Sequence, residues 1–164
     1  MNDKIRFFFI VICTILIVSC NQNSNNQKTI QEKDIIKTEL SQLMDQIIID
    51  SESLDLEKAI EPYIESEEFL SLSNGYKSNY KEFIKANRDY YPFLKSQKFL
   101  DSKYFFTFIS ETAVILTWEC KTQVVFQDDS GYSVAPYIVS FLFKKTNEKW
   151  GIHYAHGSGS IVNN

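Results

Sequence analysis

The most constraining feature of this sequence is an alternation of apolar and polar residues between positions 112 and 127. The apolar positions of this alternation are Val114, Leu116, Trp118, Cys120, Val124 and Phe126. Because successive side chains of a β-strand point to opposite faces, the pattern predicts a strand with one buried face. The segments 104–109, 135–143 and 150–156 are also rich in aromatic and aliphatic residues, and turn-forming residues separate the last three strands. The chain is therefore predicted to end in a long antiparallel meander.

Three predicted helices precede this meander. Apolar residues recur at intervals of three and four over residues 29–49, which predicts the first helix. The other two helices are predicted over residues 56–64 and 77–91, and between them lie a short strand at 69–72 and an Asn74-Gly75 turn. Helices gathered before a long antiparallel sheet indicate an α+β fold in which the helices cover one face of the sheet.

The N-terminus resembles the export signal of a bacterial lipoprotein. Lys4 and Arg6 precede an apolar run that is too short to span a membrane comfortably, and the run ends at Ile17-Val18-Ser19-Cys20, which resembles a lipobox. The resemblance implies that residues 1–19 are removed, that Cys20 is lipidated and that residues 20–27 form a flexible tether. The domain at residues 28–160 is then expected in the cell envelope, anchored to a membrane and facing the periplasm or the extracellular side. An ordinary secretory signal or membrane anchor would also carry the domain out of the cytoplasm.

Charge and cysteine usage narrow the function classes. The net charge is −4 and no basic patch is evident, so nucleic acid is not a predicted partner. Cys13 lies in the leader and Cys20 would carry lipid, which leaves Cys120 without a disulfide partner or a metal-binding spacing. The acidic residues at 65–68 and at 128–129 lack the spacing of a calcium loop. We therefore predict no metal and no cofactor.

Two segments stand out beside the order of the predicted elements: Phe69-Leu70-Ser71-Leu72-Ser73-Asn74-Gly75 and, in the last strand, Trp150-Gly-Ile-His-Tyr-Ala-His-Gly-Ser158. Together with that order, they resemble the NTF2-like superfamily, in particular its SnoaL-like and DUF4440-like branches. The resemblance covers about residues 29–160. It implies a cone in which three N-terminal helices pack on a curved antiparallel sheet and enclose a pocket. It also implies a possible homodimer through the outer face of the sheet, where Ile115, Thr117 and Val125 are expected. Members of this superfamily use the pocket for different purposes or for none that is known, so the fold alone does not decide the function.

The last strand supplies the polar candidates for the pocket. Alternation from Trp150 places Tyr154, His156 and Ser158 on one face, and the resemblance implies that this face looks into the cone. His156 is then the candidate acid or base, because imidazole exchanges protons near neutral pH, and Tyr154 or Tyr104 is the candidate donor. The alternative for His156 is a structural role. The predicted pocket residues are Tyr80, Phe83, Tyr104, Phe106, Trp118, Phe141, Tyr154 and His156. For the aromatic members of this set, packing in the core is the alternative.

Three function classes follow from these features. The first is non-catalytic binding of an apolar or aromatic small molecule, or protein interaction, by a lipid-anchored domain. The second is a small SnoaL-like or ketosteroid-isomerase-like enzyme that uses His156 on a cyclic or polyketide-like substrate, although neither Asp101 nor Glu119 aligns as an inward-facing base. The third is a structural subunit of an envelope complex. An enzyme requires an open cavity in which His156 and a second polar group converge.

Overall fold

The computed structural model describes residues 29–162. The described residues fall into two units, residues 29–38 and residues 39–162. In the first unit the described residues are helical, and Lys37 forms an ion pair with Asp34 at 3.0 Å. The predicted signal and tether, residues 1–27, lie outside the described residues. No helix within the described range is both long and apolar enough to cross a membrane.

The second unit contains three α-helices before its long strands, as predicted, and two short strands lie between the second and the third helix. Helix α1 covers residues 39–52, at the end of a helical stretch that starts at residue 29. The side chains of Leu40 and Met44 on its apolar face are fully buried. Helix α2 is Leu56–Ile60, and helix α3 is Tyr80–Tyr90. A capping box begins α3: the Asn79 side chain accepts from the backbone N–H of Glu82, and the Glu82 carboxylate accepts from the backbone N–H of Asn79.

Six strands form one sheet, in the order β2-β1-β6-β5-β4-β3. The strands are β1 Leu70–Ser73, β2 Tyr76–Ser78, β3 Leu94–Ser110, β4 Ala113–Phe126, β5 Gly131–Thr146 and β6 Lys149–Val162. Strand β1 pairs in parallel with β6, and all other neighbours are antiparallel. The predicted α+β class and the terminal meander are confirmed. The sequence pattern predicts that the third helix starts at residue 77, and that start is wrong, because Lys77 and Ser78 belong to β2 and Asn79 caps α3.

One face of the sheet carries the core, and we call it the inner face. Its buried residues alternate along β4 and β5, as the sequence pattern predicts, and include Val114, Leu116, Trp118, Val139, Phe141 and Phe143. The opposite face, which we call the outer face, carries the intervening residues. Registers shift in β3, β4 and β5 near Asp101, Lys121 and Pro136. Such β-bulges bend strands and strengthen their twist.

Strand β6 departs from the predicted alternation because it contains a β-bulge. Leu142 pairs with Tyr154 but the next residue of β5, Phe143, pairs with Ile152, so His153 is an extra residue in the strand. From that point the inward positions of β6 are Ala155, Gly157 and Gly159, opposite Phe141, Val139 and Tyr137. One inserted residue exchanges the two faces of everything that follows it.

Candidate functional site

A cavity of about 200 Å³ lies between the inner face of the sheet and helices α1–α3. Its apolar wall is mostly aromatic and aliphatic, and includes Ile47, Ile60, Phe83, Phe99, Trp118 and Phe141. The rings are in direct contact, with centroid separations of 5.0 Å for Phe99 and Trp118 and 4.8 Å for Tyr63 and Phe83. Aromatic walls of this kind are common in sites for small organic molecules.

The remaining wall of the cavity is polar but carries no formal charge. It consists of Ser51, Tyr63, Asn87, Tyr90, Tyr91, Gln97 and Tyr137. Within the described part of the chain, no Asp, Glu, Lys, Arg or His lines this space. A ligand here would meet hydroxyl and amide groups on an apolar background.

Gln97 connects three elements around the cavity. Its side-chain nitrogen donates to the backbone carbonyl of Ser51, the second-to-last residue of α1, at 2.6 Å, and to the Tyr91 hydroxyl at 3.2 Å. Gln97 is buried on β3, so these bonds satisfy an amide nitrogen that would otherwise be costly to bury. The bonds hold the end of α1 against the sheet at the cavity wall.

Three tyrosines of the cavity, Tyr63, Tyr90 and Tyr137, are held in their neutral form. Burial raises the pKa of Tyr137 to about 12, and the nearby Cys120 thiol and Tyr132 hydroxyl add to the shift. Burial also raises the pKa of Tyr63 and that of Tyr90, whose hydroxyl lies 3.0 Å from the Tyr132 hydroxyl. Desolvation disfavours the charged phenolate. These groups therefore donate and accept hydrogen bonds and do not act as bases near neutral pH.

The structure brings some of the predicted pocket residues to the cavity and leaves others outside it. Phe83, Trp118 and Phe141 line the cavity. Tyr80 instead packs edge-on against Phe69, with ring centroids 5.4 Å apart. Tyr104 donates to the Asp45 carboxylate at 2.6 Å, and burial is the main reason that the pKa of Tyr104 is raised. Phe106 is half-buried on β3 and does not line the cavity.

The predicted placement of Tyr154 and His156 inside the cone is wrong. Both follow the bulge at His153, and they pair with Leu142 and Ser140 on the outer face. The side chain of His156 is exposed. The convergence of His156 with a second polar group inside the cavity, which an enzyme of the predicted kind requires, is absent from the described residues. His153 is half-buried, and burial lowers its pKa.

The other chemical candidates of the sequence also lie away from the cavity. Asp101 has a left-handed φ of 59° in a bulge of β3, and its carboxylate pairs with Lys121 at 3.0 Å. Glu119 pairs with Lys103 at 2.9 Å on the outer face. These two ion pairs line a larger depression of about 710 Å³, where they leave no charge unpaired for a ligand. Across residues 29–162, no three His, Cys, Asp or Glu side chains gather as a metal ion would need.

The sequence pattern does not identify most of the polar wall, including Ser51, Tyr63, Gln97 and Tyr137. For two residues of the wall the sequence does contain an indication. Asn87 is an amide within the apolar stripe of α3, and Gln97 is a buried polar residue of β3 between the buried Leu94 and half-buried Phe99. A polar residue at a core position is informative, because it needs a partner there.

Comparison with solved structures establishes the fold. An NTF2-like protein of unknown function from Shewanella oneidensis MR-1 superposes with a TM-score of 0.60 at 21% identity, covering 74% of this chain and 98% of that chain. An NTF2-like superfamily protein from Salmonella enterica serovar Typhimurium LT2 gives 0.63 at 13% identity, covering 80% and 96%. Hexachlorocyclohexane dehydrochlorinase from Novosphingobium barchaimii LL02 gives 0.66 at 7% identity, covering 80% and 91%.

The domain therefore has the NTF2-like fold, as the sequence resemblance implied. No protein-family model matches the sequence. No curated protein matches it either. At these identities the structural likeness establishes the fold and leaves the function to the residues of the site.

Proposed function

We propose that this chain is a lipid-anchored protein of the cell envelope whose NTF2-like domain binds a small, uncharged organic molecule in its cavity. The observation that carries the proposal is the composition of the cavity wall, which combines packed aromatic rings with neutral hydroxyl and amide groups. A charged ligand would lose its hydration there without meeting an opposite charge. An uncharged ring meets both apolar surface and hydrogen-bonding groups.

The size of the cavity limits the ligand. An apolar cavity of about 150 Å³ in another protein holds benzene. A volume of about 200 Å³ therefore has room for one ring with small substituents. Larger molecules would need the wall to move.

Binding is favoured over acid or base catalysis because the wall offers no group that exchanges a proton near neutral pH. General acid-base catalysis needs a group whose pKa is close to the working pH. The pKa of Tyr137 is about 12, and His156 lies on the other face of the sheet. The dehydrochlorinase activity of a structural neighbour is a property of that protein, and this cavity does not offer an acid or base to support it here.

Ligand binding is tested by filling the cavity. We would titrate the mature chain, starting at residue 20 and carrying Cys20→Ser, with p-cresol as the probe, using calorimetry. Ala59 is buried on α2 and lines the cavity, so Ala59→Leu should reduce the affinity at least about tenfold, a loss of about 1.4 kcal/mol. Ala86→Leu, the same change at an exposed position of α3, should leave the affinity unchanged.

Two results would count against ligand binding. One is the absence of p-cresol binding to the wild-type protein together with native mass spectrometry, on protein purified from its own host, that finds no co-purifying small molecule. The other is binding that Ala59→Leu leaves intact in a variant whose near-ultraviolet circular dichroism is native.

The lipid anchor is tested by metabolic labelling with radioactive palmitate in a bacterial host. Wild-type protein should incorporate the label and sediment with membranes, and Cys20→Ala should do neither. Cys13→Ala is the matched control, because Cys13 lies within the predicted leader and should be removed with it. Label that persists in Cys20→Ala would exclude Cys20 as the lipidated residue.

The homodimer remains a prediction. Ile115 and Thr117 lie on the outer face, where Thr117 shares a hydrogen bond with Ser140 at 2.9 Å, and the neighbouring Phe105 is 52% exposed. Exposed aromatic side chains are frequent at protein interfaces. Sedimentation equilibrium of wild type and Phe105→Lys would test the interface: a wild-type dimer that becomes a monomer supports it, and a wild-type monomer excludes it.

A further inference from the structure

The polar atoms of the cavity wall differ in whether the protein itself satisfies them. The hydroxyls of Tyr90 and Tyr132 bond to each other at 3.0 Å. The hydroxyls of Tyr63 and Tyr137, by contrast, have no hydrogen-bond partner among residues 29–162. Both residues are half-buried, and neither hydroxyl is a fully buried atom without a partner, a condition that Ser66 Oγ alone meets among the described residues, so both hydroxyls remain accessible to water or a ligand. The cavity therefore contains two phenolic O–H groups whose hydrogen-bonding capacity is unused.

The two amides of the wall are oriented by the backbone. A backbone carbonyl can only accept a hydrogen bond, so the amide atom that faces it must be the nitrogen. The nitrogen of Gln97 faces the Ser51 carbonyl at 2.6 Å, and the nitrogen of Asn87 faces the Phe83 carbonyl at 2.8 Å. In this orientation the nitrogen of each amide is paired, and its oxygen does not face the carbonyl. Neither Gln97 Oε1 nor Asn87 Oδ1 has a partner within the described residues.

The wall thus offers unused donors and unused acceptors in one space. The donors are the hydroxyls of Tyr63 and Tyr137, and the acceptors are the amide oxygens of Gln97 and Asn87. A purely apolar ligand would displace water from all four and leave them unpaired, which is unfavourable for buried polar groups. An anion would face the two amide oxygens, and a cation would find no carboxylate in the wall.

Resting on the proposed binding function, we propose that the ligand is an uncharged ring compound that bears both a hydrogen-bond acceptor and a hydrogen-bond donor. A carbonyl, ether or hydroxyl oxygen accepts from Tyr63 or Tyr137. An O–H or N–H group donates to Gln97 Oε1 or Asn87 Oδ1. Hydroxylated aromatic rings, cyclic amides and hydroxylated lactones of single-ring size have this chemistry. The four side chains set specificity, whereas the aromatic wall supplies apolar contact.

Three probes of similar size separate these contributions. Toluene has no polar group, 4-methylanisole adds an acceptor, and p-cresol adds an acceptor and a donor. Water solvates the p-cresol hydroxyl strongly, so p-cresol binds more tightly than toluene only if the cavity replaces those hydrogen bonds. We expect p-cresol to bind at least about tenfold more tightly than toluene, with 4-methylanisole between them.

Hydroxyl deletions identify the groups responsible. Tyr63→Phe and Tyr137→Phe each remove one unpartnered hydroxyl and retain the ring, so both variants should fold. At least one of the two variants should weaken p-cresol and 4-methylanisole binding about fivefold, and both should leave toluene binding unchanged. Tyr76→Phe is the matched control, because Tyr76 is 82% exposed in the β1–β2 hairpin and should affect none of the probes.

The outcomes separate this inference from the function on which it rests. Equal affinities for toluene and p-cresol, or p-cresol binding that neither phenylalanine variant weakens, would overturn the inference and leave small-molecule binding in place. Failure of all three probes to bind would overturn the inference and count against the proposed function as well. The expected order, with losses confined to the polar probes in the tyrosine variants, would support both.

Discussion

The Tyr137 hydroxyl occupies the space next to Gly157 that a side chain at position 157 would enter. A Cβ atom built on Gly157 would lie 3.2 Å from the Tyr137 hydroxyl oxygen. At the next inward position of β6, a Cβ on Gly159 would lie 3.0 Å from the Tyr137 ring and 2.3 Å from a methyl group of Val134. Because Gly157 and Gly159 have no side chains, the Tyr137 ring has enough space at the cavity wall.

We predict that Gly159→Ala destabilises the domain more than Gly157→Ala. The contact of 2.3 Å with Val134 must be relieved by a shift, and overpacking of this kind costs about 1–3 kcal/mol. At Gly157 the milder contact is offset by the gain of about 0.5–1 kcal/mol from replacing glycine in a strand. Equilibrium urea unfolding measures both changes. Equal stability of Gly159→Ala and wild type would contradict the tight packing described above.

We predict that Gln97→Leu lowers the free energy of unfolding by about 1–3 kcal/mol, because it removes the hydrogen bonds to the Ser51 carbonyl and the Tyr91 hydroxyl in a buried site. Gln123→Leu, the same substitution on the exposed side of β4, should change it by less than about 0.5 kcal/mol. The measurement is again urea unfolding. A cost at Gln97 no larger than that at Gln123 would mean that these bonds contribute little.

Glu52 should make the stability depend on pH. Partial burial raises its pKa, but hydrogen bonds from the Lys98 side chain and the Phe99 backbone N–H outweigh this, so the folded-state pKa lies below 4.5. Its contribution is therefore present above pH 4.5 and is lost as the pH falls through the folded-state value. We expect Glu52→Gln to be less stable than wild type near neutral pH, by up to about 1 kcal/mol after solvent screening.

The difference between wild type and Glu52→Gln should shrink in acid, as measured by thermal unfolding across the acidic range. Glu57→Gln is the control, because Glu57 forms a similar but fully exposed pair with Arg88. Exposed pairs contribute little. A difference for Glu52→Gln that does not vary with pH would show that its carboxylate charge is not responsible.

Cys120 should be unreactive in the folded protein. Its side chain is buried on β4, and burial together with the nearby Glu119 raises the pKa of the thiol to about 12. Only about one molecule in ten thousand then carries the reactive thiolate at about pH 8. In the Cys20→Ser mature chain Cys120 is the single cysteine, so Ellman's reagent should react slowly before unfolding and rapidly in concentrated guanidinium chloride. An added exposed thiol, Ser158→Cys, should react at once, and fast reaction of Cys120 itself would contradict its burial.

Part of the site could be predicted because strand alternation is a local property. Trp118 and Phe141 were placed on the inner face from sequence, and β4 and β5 confirm it. The capping pair Asn79 and Glu82 would also have located the start of α3 and left Tyr76–Ser78 free to form β2. These signals involve residues that are close in the chain, so the sequence pattern contains them directly.

The position of His156 could not be predicted in the same way. Alternation counted from Trp150 is correct up to Ile152, and the extra residue His153 then exchanges the two faces. A bulge leaves the composition of a strand unchanged, and it depends on how β5 and β6 align. A residue that was the best polar candidate for the pocket therefore lies on the outer face.

The sequence by itself determined that three helices precede the meander, and it determined the inner face of β4 and β5, because helical and strand periodicity act over a few neighbouring residues. Only the tertiary structure decided the register of β6 and the polar wall of the cavity. Gln97 meets the Ser51 carbonyl across 46 positions of the chain, and such a contact depends on how α1 packs against the sheet. The chemistry of the site depends on contacts between segments that are distant in the chain, and local periodicity does not predict such contacts.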